Sequence, residues 1–177
     1  MSNSVLEVRN AVKYYTAGSN TVKAVDNISF SVEKGEFVAV MGASGSGKST
    51  LLSLISTIEG VSSGDILIDG KNIAEMKEDD RSDFRRDKLG FIFQSYNLLD
   101  TLTIGENIVL PLNLKNVSVS ETAERLSKVT KKLGIEDLTE KFPNELSGGQ
   151  CQRAACARAL ITEPSLIMAD EPTGALD

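Results

Sequence analysis

Gly42-Ala43-Ser44-Gly45-Ser46-Gly47-Lys48-Ser49 ends a glycine-rich run with an ammonium and a hydroxyl, the G-x-x-x-x-G-K-S/T spacing of a phosphate cradle. Glycines let the backbone wrap an anion closely, so that successive N–H groups point at it, and a helix N-terminus behind the loop adds its dipole. Lys48 is then expected to reach the β- and γ-phosphates, and Ser49 to coordinate Mg²⁺. The contacts expected for a nucleotide are Gly42, Ala43, Ser44, Gly45, Ser46, Gly47, Lys48, Ser49 and Thr50. A flexible Gly/Ser turn is the bland alternative, and the flanking elements argue against it.

A second chemical group is Asp170-Glu171, two carboxylates at the end of the apolar run Leu166-Ile167-Met168-Ala169. Open α/β sheets bind ligands at the C-terminal edge of their strands. Asp170 there is expected to hold magnesium, and Glu171 to polarise an attacking water. A solvated acidic turn is the blander, minority reading of the pair standing alone. Leu146-Ser147-Gly148-Gly149-Gln150 is the third. Ser147-x-x-Gln150 is a capping box that opens a helix to Leu160. Two glycines at the start of a helix cost stability, yet they let an anion approach the backbone.

The elements that must position these groups follow from periodicity. Val5-Leu6-Glu7-Val8 and Ile28-Ser29-Phe30-Ser31-Val32 alternate, which predicts a half-exposed antiparallel layer. Phe37-Val38-Ala39-Val40-Met41 is continuously apolar, as in a parallel strand covered on both faces, with a helix over Ser49 to Ile58 behind the loop. Ile66-Leu67-Ile68 with Asp69-Gly70 predicts a strand and turn, and Phe91-Ile92-Phe93 and Leu166–Ala169 predict two more buried strands. Between them the pattern is helical. Thr103-x-x-Glu106 and Ser118-x-x-Glu121 are capping boxes, the second opening a helix with Ala123, Leu126, Val129 and Leu133 on one face and Gly134 as its stop. The expectation is one α/β domain, with residues 1–94 and 161–177 as core and 95–160 as a helical insertion.

Composition narrows the class. The chain has 177 residues, 41% of them hydrophobic and 25% charged, the balance of a globular protein. No apolar run approaches the roughly 20 residues of a membrane-spanning helix, which predicts a cytoplasmic chain. A net charge of -6 argues against nucleic acid as the main ligand. Cys151 and Cys156 lie roughly 140° apart on one helix, so a disulfide between them is not expected, and a histidine-free chain makes zinc implausible.

In order and spacing these motifs resemble the ABC transporter ATPases over essentially the whole chain. The resemblance implies an ABC-type P-loop NTPase fold: a parallel core sheet, an N-terminal antiparallel β layer and a helical subdomain. It also implies ATP and Mg²⁺ as ligands, ATP hydrolysis coupled to transport, and a head-to-tail homodimer. In that dimer Ser147, Gly148, Gly149 and Gln150 bind the γ-phosphate held by the opposite subunit. Tyr15 resembles the aromatic that stacks on adenine, although the adjacent Tyr14 is an alternative and either is compatible with core packing. Gln94 resembles the glutamine that contacts magnesium and water and senses the membrane partner. Lys48, Gln94 and Glu171 match the catalytic positions, and Ser49, Gln94 and Asp170 the metal ligands. Gly174-Ala175-Leu176-Asp177 resembles the loop that meets the other subunit.

The run from Arg86 to Leu99, with Leu102–Asn107 and Leu110-Pro111-Leu112, is similar to the lipoprotein-release and macrolide-export branch. Leu99-Asp100-Thr101-Leu102-Thr103 is similar to bacitracin-type peptide-resistance transporters. This implies an FtsX-like permease partner, a place on the inner face of the membrane through that permease, and a peptide, drug or lipid-linked cargo. Two departures fall on the signature helix. Cys151 stands at a usually long polar position and is expected to be exposed, and Cys156 at a usually aliphatic one. The family's domain also continues beyond the loop at Asp177 with another strand and a γ-phosphate histidine. The expectation is therefore a C-terminally truncated subunit that lacks the last core strands. A nucleotide-binding module without turnover and a soluble non-transport ABC ATPase are the competing readings.

Overall fold

The computed structural model describes residues 3–18 and 20–172. The Gly174–Asp177 loop lies outside them. The chain divides into two compact units, residues 1–85 and 86–177.

The first unit is built on an antiparallel sheet. Strands β1 (Ser4–Ala17) and β2 (Asn20–Glu33) form a long hairpin, and β3 (Ser63–Ile68) and β4 (Lys71–Asn72) complete the order β2-β1-β3-β4. The alternation read from Val5–Val8 and Ile28–Val32 is the register observed, with Leu6 opposite Val32 and Val8 opposite Phe30. Asp69-Gly70 makes the β3–β4 turn with both φ angles positive, the two-residue geometry that suits a twisted hairpin. Helix α1 (Lys48–Ile55) buries Leu51, Leu54 and Ile55, while Val5, Leu6, Val8, Ala11, Ile66 and Ile68 are buried in the sheet. The helix is shorter than the expected Ser49–Ile58 span, because Ser56 and the left-handed Thr57 turn the chain.

One expectation fails in this unit. Phe37–Met41 forms no strand, and Phe37 and Met41 are 95% and 88% exposed. Its apolar run encodes burial on both faces, but a strand exists only through ladder hydrogen bonds to neighbours. Among the described residues none pairs with it.

The second unit couples a parallel strand pair to a helical bundle. Helix α2 (Glu78–Lys88) begins within residues 1–85 and ends at the start of β5 (Leu89–Ile92), which pairs in parallel with β6 (Leu166–Ala169). Coverage of the pair is partial rather than complete. Met168 is buried, but Ile167 is 40% exposed, so these apolar strands are not enclosed on both faces as expected. Helices α3 (Ile104–Asn113), α4 (Val119–Leu133) and α5 (Gly148–Leu160) enclose Ile104, Ile108, Leu112, Val129, Ala154, Ala157 and Ile161. Small alanines on α5 let α3 approach closely. Truncating Ile108 to Ala would remove a fully buried side chain from this cluster, at a cost of roughly 2–5 kcal/mol.

The caps behave largely as the sequence indicates. Thr103 and Glu106 form a reciprocal capping box on α3. Ser118 accepts from Glu121 N–H at the start of α4, and Gly134 ends that helix in the left-handed region. The buried face of α4 differs slightly, since Ala123 is exposed and Thr130 is buried. The Thr130 hydroxyl is satisfied by donating to Leu126 O at 2.8 Å.

Candidate nucleotide site

In the first unit the phosphate loop runs directly into α1. Gly45 and Gly47 have φ of 76° and 93°, which reverse the chain twice before the first helical residue, Lys48. A Cβ on Gly47 would stand 2.1 Å from Ala24 O, so β2 and the loop approach at a distance only glycine permits. The Lys48 ammonium donates to Gly42 O at 2.9 Å and to Ala43 O at 3.0 Å, folding back over the loop. Ser44 and Ser49 are exposed. The result is an exposed loop whose cation is held at its mouth, at a helix start that carries no side-chain cap.

Tyr15 lies in the same unit as the loop. Its hydroxyl donates to Glu59 Oε2 at 2.6 Å. The hydrogen bond to Glu59 is the main cause that raises the phenol above its ordinary pKa, and the same bond is the main cause that lowers the Glu59 carboxyl. Tyr14 points to the other side of β1, toward Asp26 at 3.5 Å.

In the second unit, parallel register aligns the remaining chemistry. Ile92 sits opposite Ala169, and Asp170 N–H donates to Ile92 O at 3.1 Å. Gln94 leaves β5, and Asp170 and Glu171 leave β6, at the same C-terminal edge. Asp170 is half-buried, whereas Gln94 and Glu171 are exposed. Glu171 is a non-glycine residue at φ 44°, a left-handed backbone costing about 1–3 kcal/mol and typical of functional positions.

Helix α5 presents the Ser147–Gln150 segment. Ser147 Oγ accepts from Gln150 N–H at 3.4 Å, and Gln150 Oε1 accepts from Ser147 N–H at 2.8 Å. Ser147 and Gly148 are exposed, and a Cβ on Gly149 would meet nothing within 4 Å, so this helix start is open to solvent. Cys151 corrects its expectation: it is buried, its thiol reaches Pro143 O at 3.6 Å, and desolvation raises its pKa. Helical geometry turns position 151 inward, beneath the capping box. Cys156 is half-buried, and both thiols are free.

The structure adds residues that spacing did not single out. Lys13 and Glu59 flank Tyr15. Gln152 donates to Pro172 O, tying α5 to the turn after the acidic pair. Arg158 donates to the carbonyls of Tyr96 and Asn97, just beyond Gln94. None of these carries a short-range signal: Arg158 is, with Arg153, one of two cations on an alanine-rich helix.

The candidate metal donors are a hydroxyl (Ser49), an amide (Gln94) and a carboxylate (Asp170), all hard oxygens. No group of three or more His, Cys, Asp or Glu able to hold a metal occurs among the described residues. A sparse oxygen set fits Mg²⁺, which keeps waters and phosphate oxygens in its shell, better than a transition metal.

Comparison with known proteins agrees with this arrangement. The match to the ABC transporter family spans residues 25–174, and the chain belongs to that family. It is 57% identical over 174 residues to the ABC transporter ATP-binding protein YxdL of Bacillus subtilis, covering 98% of this chain and 67% of that protein. It is 51% identical to the bacitracin export ATP-binding protein BceA of Halalkalibacterium halodurans, covering 98% of this chain and 69% of that one. Against the macrolide export ATP-binding/permease protein MacB of Mannheimia succiniciproducens the identity is 48%, covering 98% of this chain but 27% of MacB. Among solved structures, a dimeric post-hydrolysis state of the ATP-binding cassette MJ0796, bound to ADP and Pi, superposes with a TM-score of 0.86 at 40% identity. The match covers 97% of this chain and 76% of that one. This is an ABC ATPase domain, of the class that binds ATP with Mg²⁺ and couples hydrolysis to transport.

Proposed function

We propose that this chain is the ATP-hydrolysing subunit of a bacterial exporter that moves a peptide, drug or lipid-linked substrate through an FtsX-like permease on the inner face of the membrane. The observation that carries the catalytic part is the common exit of Gln94, Asp170 and Glu171 at one edge of the β5–β6 pair. The names of BceA and MacB support export as the direction.

In this reading the Gly42–Thr50 loop and Lys48 bind the triphosphate, and Tyr15 lies against the base. Ser49, Gln94 and Asp170 offer oxygens to Mg²⁺, which when bound neutralises phosphate charge and orients the leaving group. Glu171 accepts the proton of the attacking water. The Ser147–Gln150 helix start faces the γ-phosphate held by a second, head-to-tail copy, supplying N–H donors and a helix dipole. Each copy then completes the other's site, so turnover depends on pairing.

Phosphate release by the intact subunit, followed as protein concentration is varied, tests this reading. The expected release requires Mg²⁺ and rises more steeply than linearly with concentration, and the subunit co-purifies with a permease. Release strictly proportional to protein would overturn the shared-site dimer. ATP binding without any release would replace the ATPase reading with a nucleotide-binding module.

A further inference from the structure

The ring of Tyr15 is held by two elements of the first unit. Lys13 and Tyr15 are two apart on β1 and share one face of the strand. Glu59 comes from the turn after α1. The Tyr15 hydroxyl donates to Glu59 Oε2 at 2.6 Å, and the Lys13 ammonium pairs with the same oxygen at 3.1 Å. Lys13 also donates to Gly60 O at 2.8 Å and lies 5.2 Å from the Tyr15 ring centroid.

Tyr14 has a looser copy of this pattern. Its hydroxyl is 3.5 Å from Asp26, Lys23 stands 5.6 Å from its ring, and the Lys23 and Asp26 side chains are 60% and 54% exposed. The Lys13 and Glu59 side chains are only 16% and 34% exposed. Less water competes for the Tyr15 group, and its bonds are shorter.

We infer that Lys13 and Glu59 are positioning residues that clamp the Tyr15 ring as a preformed platform for the nucleotide base, an inference that rests on the Tyr15 assignment proposed above. A surface tyrosine samples several rotamers, and ordering a mobile side chain on binding costs affinity. Here the hydroxyl is tied before any ligand arrives. The Lys13 cation takes one face of the ring and draws on its π density. Tyr15 is 41% exposed, and a base stacking on the ring away from Lys13 would meet a ring better matched to an electron-rich purine. With its hydroxyl committed to Glu59, the platform reads the shape of the base rather than its hydrogen-bonding edge.

The test is equilibrium binding of ATP and of pyrophosphate to the intact subunit and to Glu59→Gln, Lys13→Met, Tyr15→Phe, Tyr15→Ala and the Glu59→Gln/Tyr15→Ala double variant. Tyr15→Phe removes the hydroxyl, while Glu59→Gln leaves an amide acceptor without the carboxylate's charge or its ion pair to Lys13, and each is expected to raise the Kd for ATP by roughly 3- to 10-fold. Pyrophosphate, which has no base, binds unchanged. In the Tyr15→Ala background, Glu59→Gln has no further effect. Absorbance titration of the phenols should also show one tyrosine ionising at lower pH in Glu59→Gln than in the parent. Three results overturn the proposal on its own: an unchanged Kd for ATP in Glu59→Gln, a Glu59→Gln effect that persists without the Tyr15 ring, or an equal loss of pyrophosphate affinity. If Tyr15→Ala itself binds ATP normally, the platform assignment fails and the clamp with it.

Discussion

The guanidinium of Arg158 donates to Tyr96 O at 2.7 Å, pinning the loop beyond Gln94 to the helix that the Ser147–Gln150 segment begins. A second bond, at 2.5 Å, reaches Asn97 O. Tyr96 and Asn97 both have left-handed backbones, at φ 60° and 49°, so their carbonyls turn toward α5 instead of continuing a strand. Burial lowers the pKa of the guanidinium, and the two carbonyls compensate part of its desolvation. One side chain thus fixes two backbone groups of a loop whose first residue is a proposed magnesium contact.

Arg158→Ala removes both bonds and leaves two carbonyls without their donor. Loss of about 2–3 kcal/mol of stability is expected, read as a lower urea midpoint with unchanged slope. Arg158→Lys recovers only part of it, because a single ammonium cannot reproduce the planar fork. A neutral Arg158→Ala substitution would mean that the loop holds its left-handed turn unaided.

The two φ-positive glycines of the phosphate loop should respond differently to alanine. At Gly45 (φ 76°) an added Cβ meets nothing within 4 Å, so Gly45→Ala carries only backbone strain, about 1–2 kcal/mol. At Gly47 the same change adds a 2.1 Å clash with Ala24 O, which must displace β2 or the loop. Gly47→Ala is expected to lower the urea midpoint further than Gly45→Ala and to abolish ATP binding. Equal effects of the two would show that the loop does not need this close approach.

What the sequence made legible depends on how local the physics is. Thr103, Ser118, Gly134 and the Ser147–Gln150 box were readable because a cap is settled within four residues. The phosphate loop and the acidic pair stand out in the sequence because residue type and spacing carry the chemistry expected of them. Phe37–Met41 misled because an apolar run encodes the wish for cover but not the neighbour that pairs with it. Cys151 misled because a position next to Gln150 at a usually polar place suggests exposure, although one helical step is about 100° and turns it under the cap. Lys13, Glu59 and Arg158 stayed hidden since each acts on a partner 44 to 62 residues away or through a ring face. No short pattern encodes such contacts.

The cysteines give a pH dependence with a definite sign. Desolvation is the leading cause raising both Cys151 and Cys156 in the folded chain. The unfolded chain therefore loses its thiol protons first, near a pKa of about 8.5. Fewer protons on the unfolded state make stability fall as pH rises through that region and leave it flat below. The urea midpoint is expected to drop between pH 7 and pH 9.5 by more in the parent than in Cys151→Ala/Cys156→Ala, which cancels the contribution of other groups. Cys151 should also resist maleimide in the native state and react on unfolding. Equal drops in parent and variant, or fast native labelling of Cys151, would contradict its burial beneath the capping box.

The base role proposed for Glu171 separates binding from turnover. Glu171 is exposed just beyond β6, at the edge where Gln94 leaves β5, with a left-handed backbone. Glu171→Gln keeps size and shape but removes the proton acceptor. General-base loss slows proton transfer by about 10²–10⁴-fold without touching the groups that hold the triphosphate. Phosphate release should fall by at least about 100-fold, with the Kd for ATP nearly unchanged. A nucleotide-loaded dimer should accumulate on size-exclusion, because hydrolysis no longer reopens it. If release persists at the parent rate, the base lies elsewhere. If ATP affinity collapses along with release, Glu171 holds the nucleotide or the fold rather than the water.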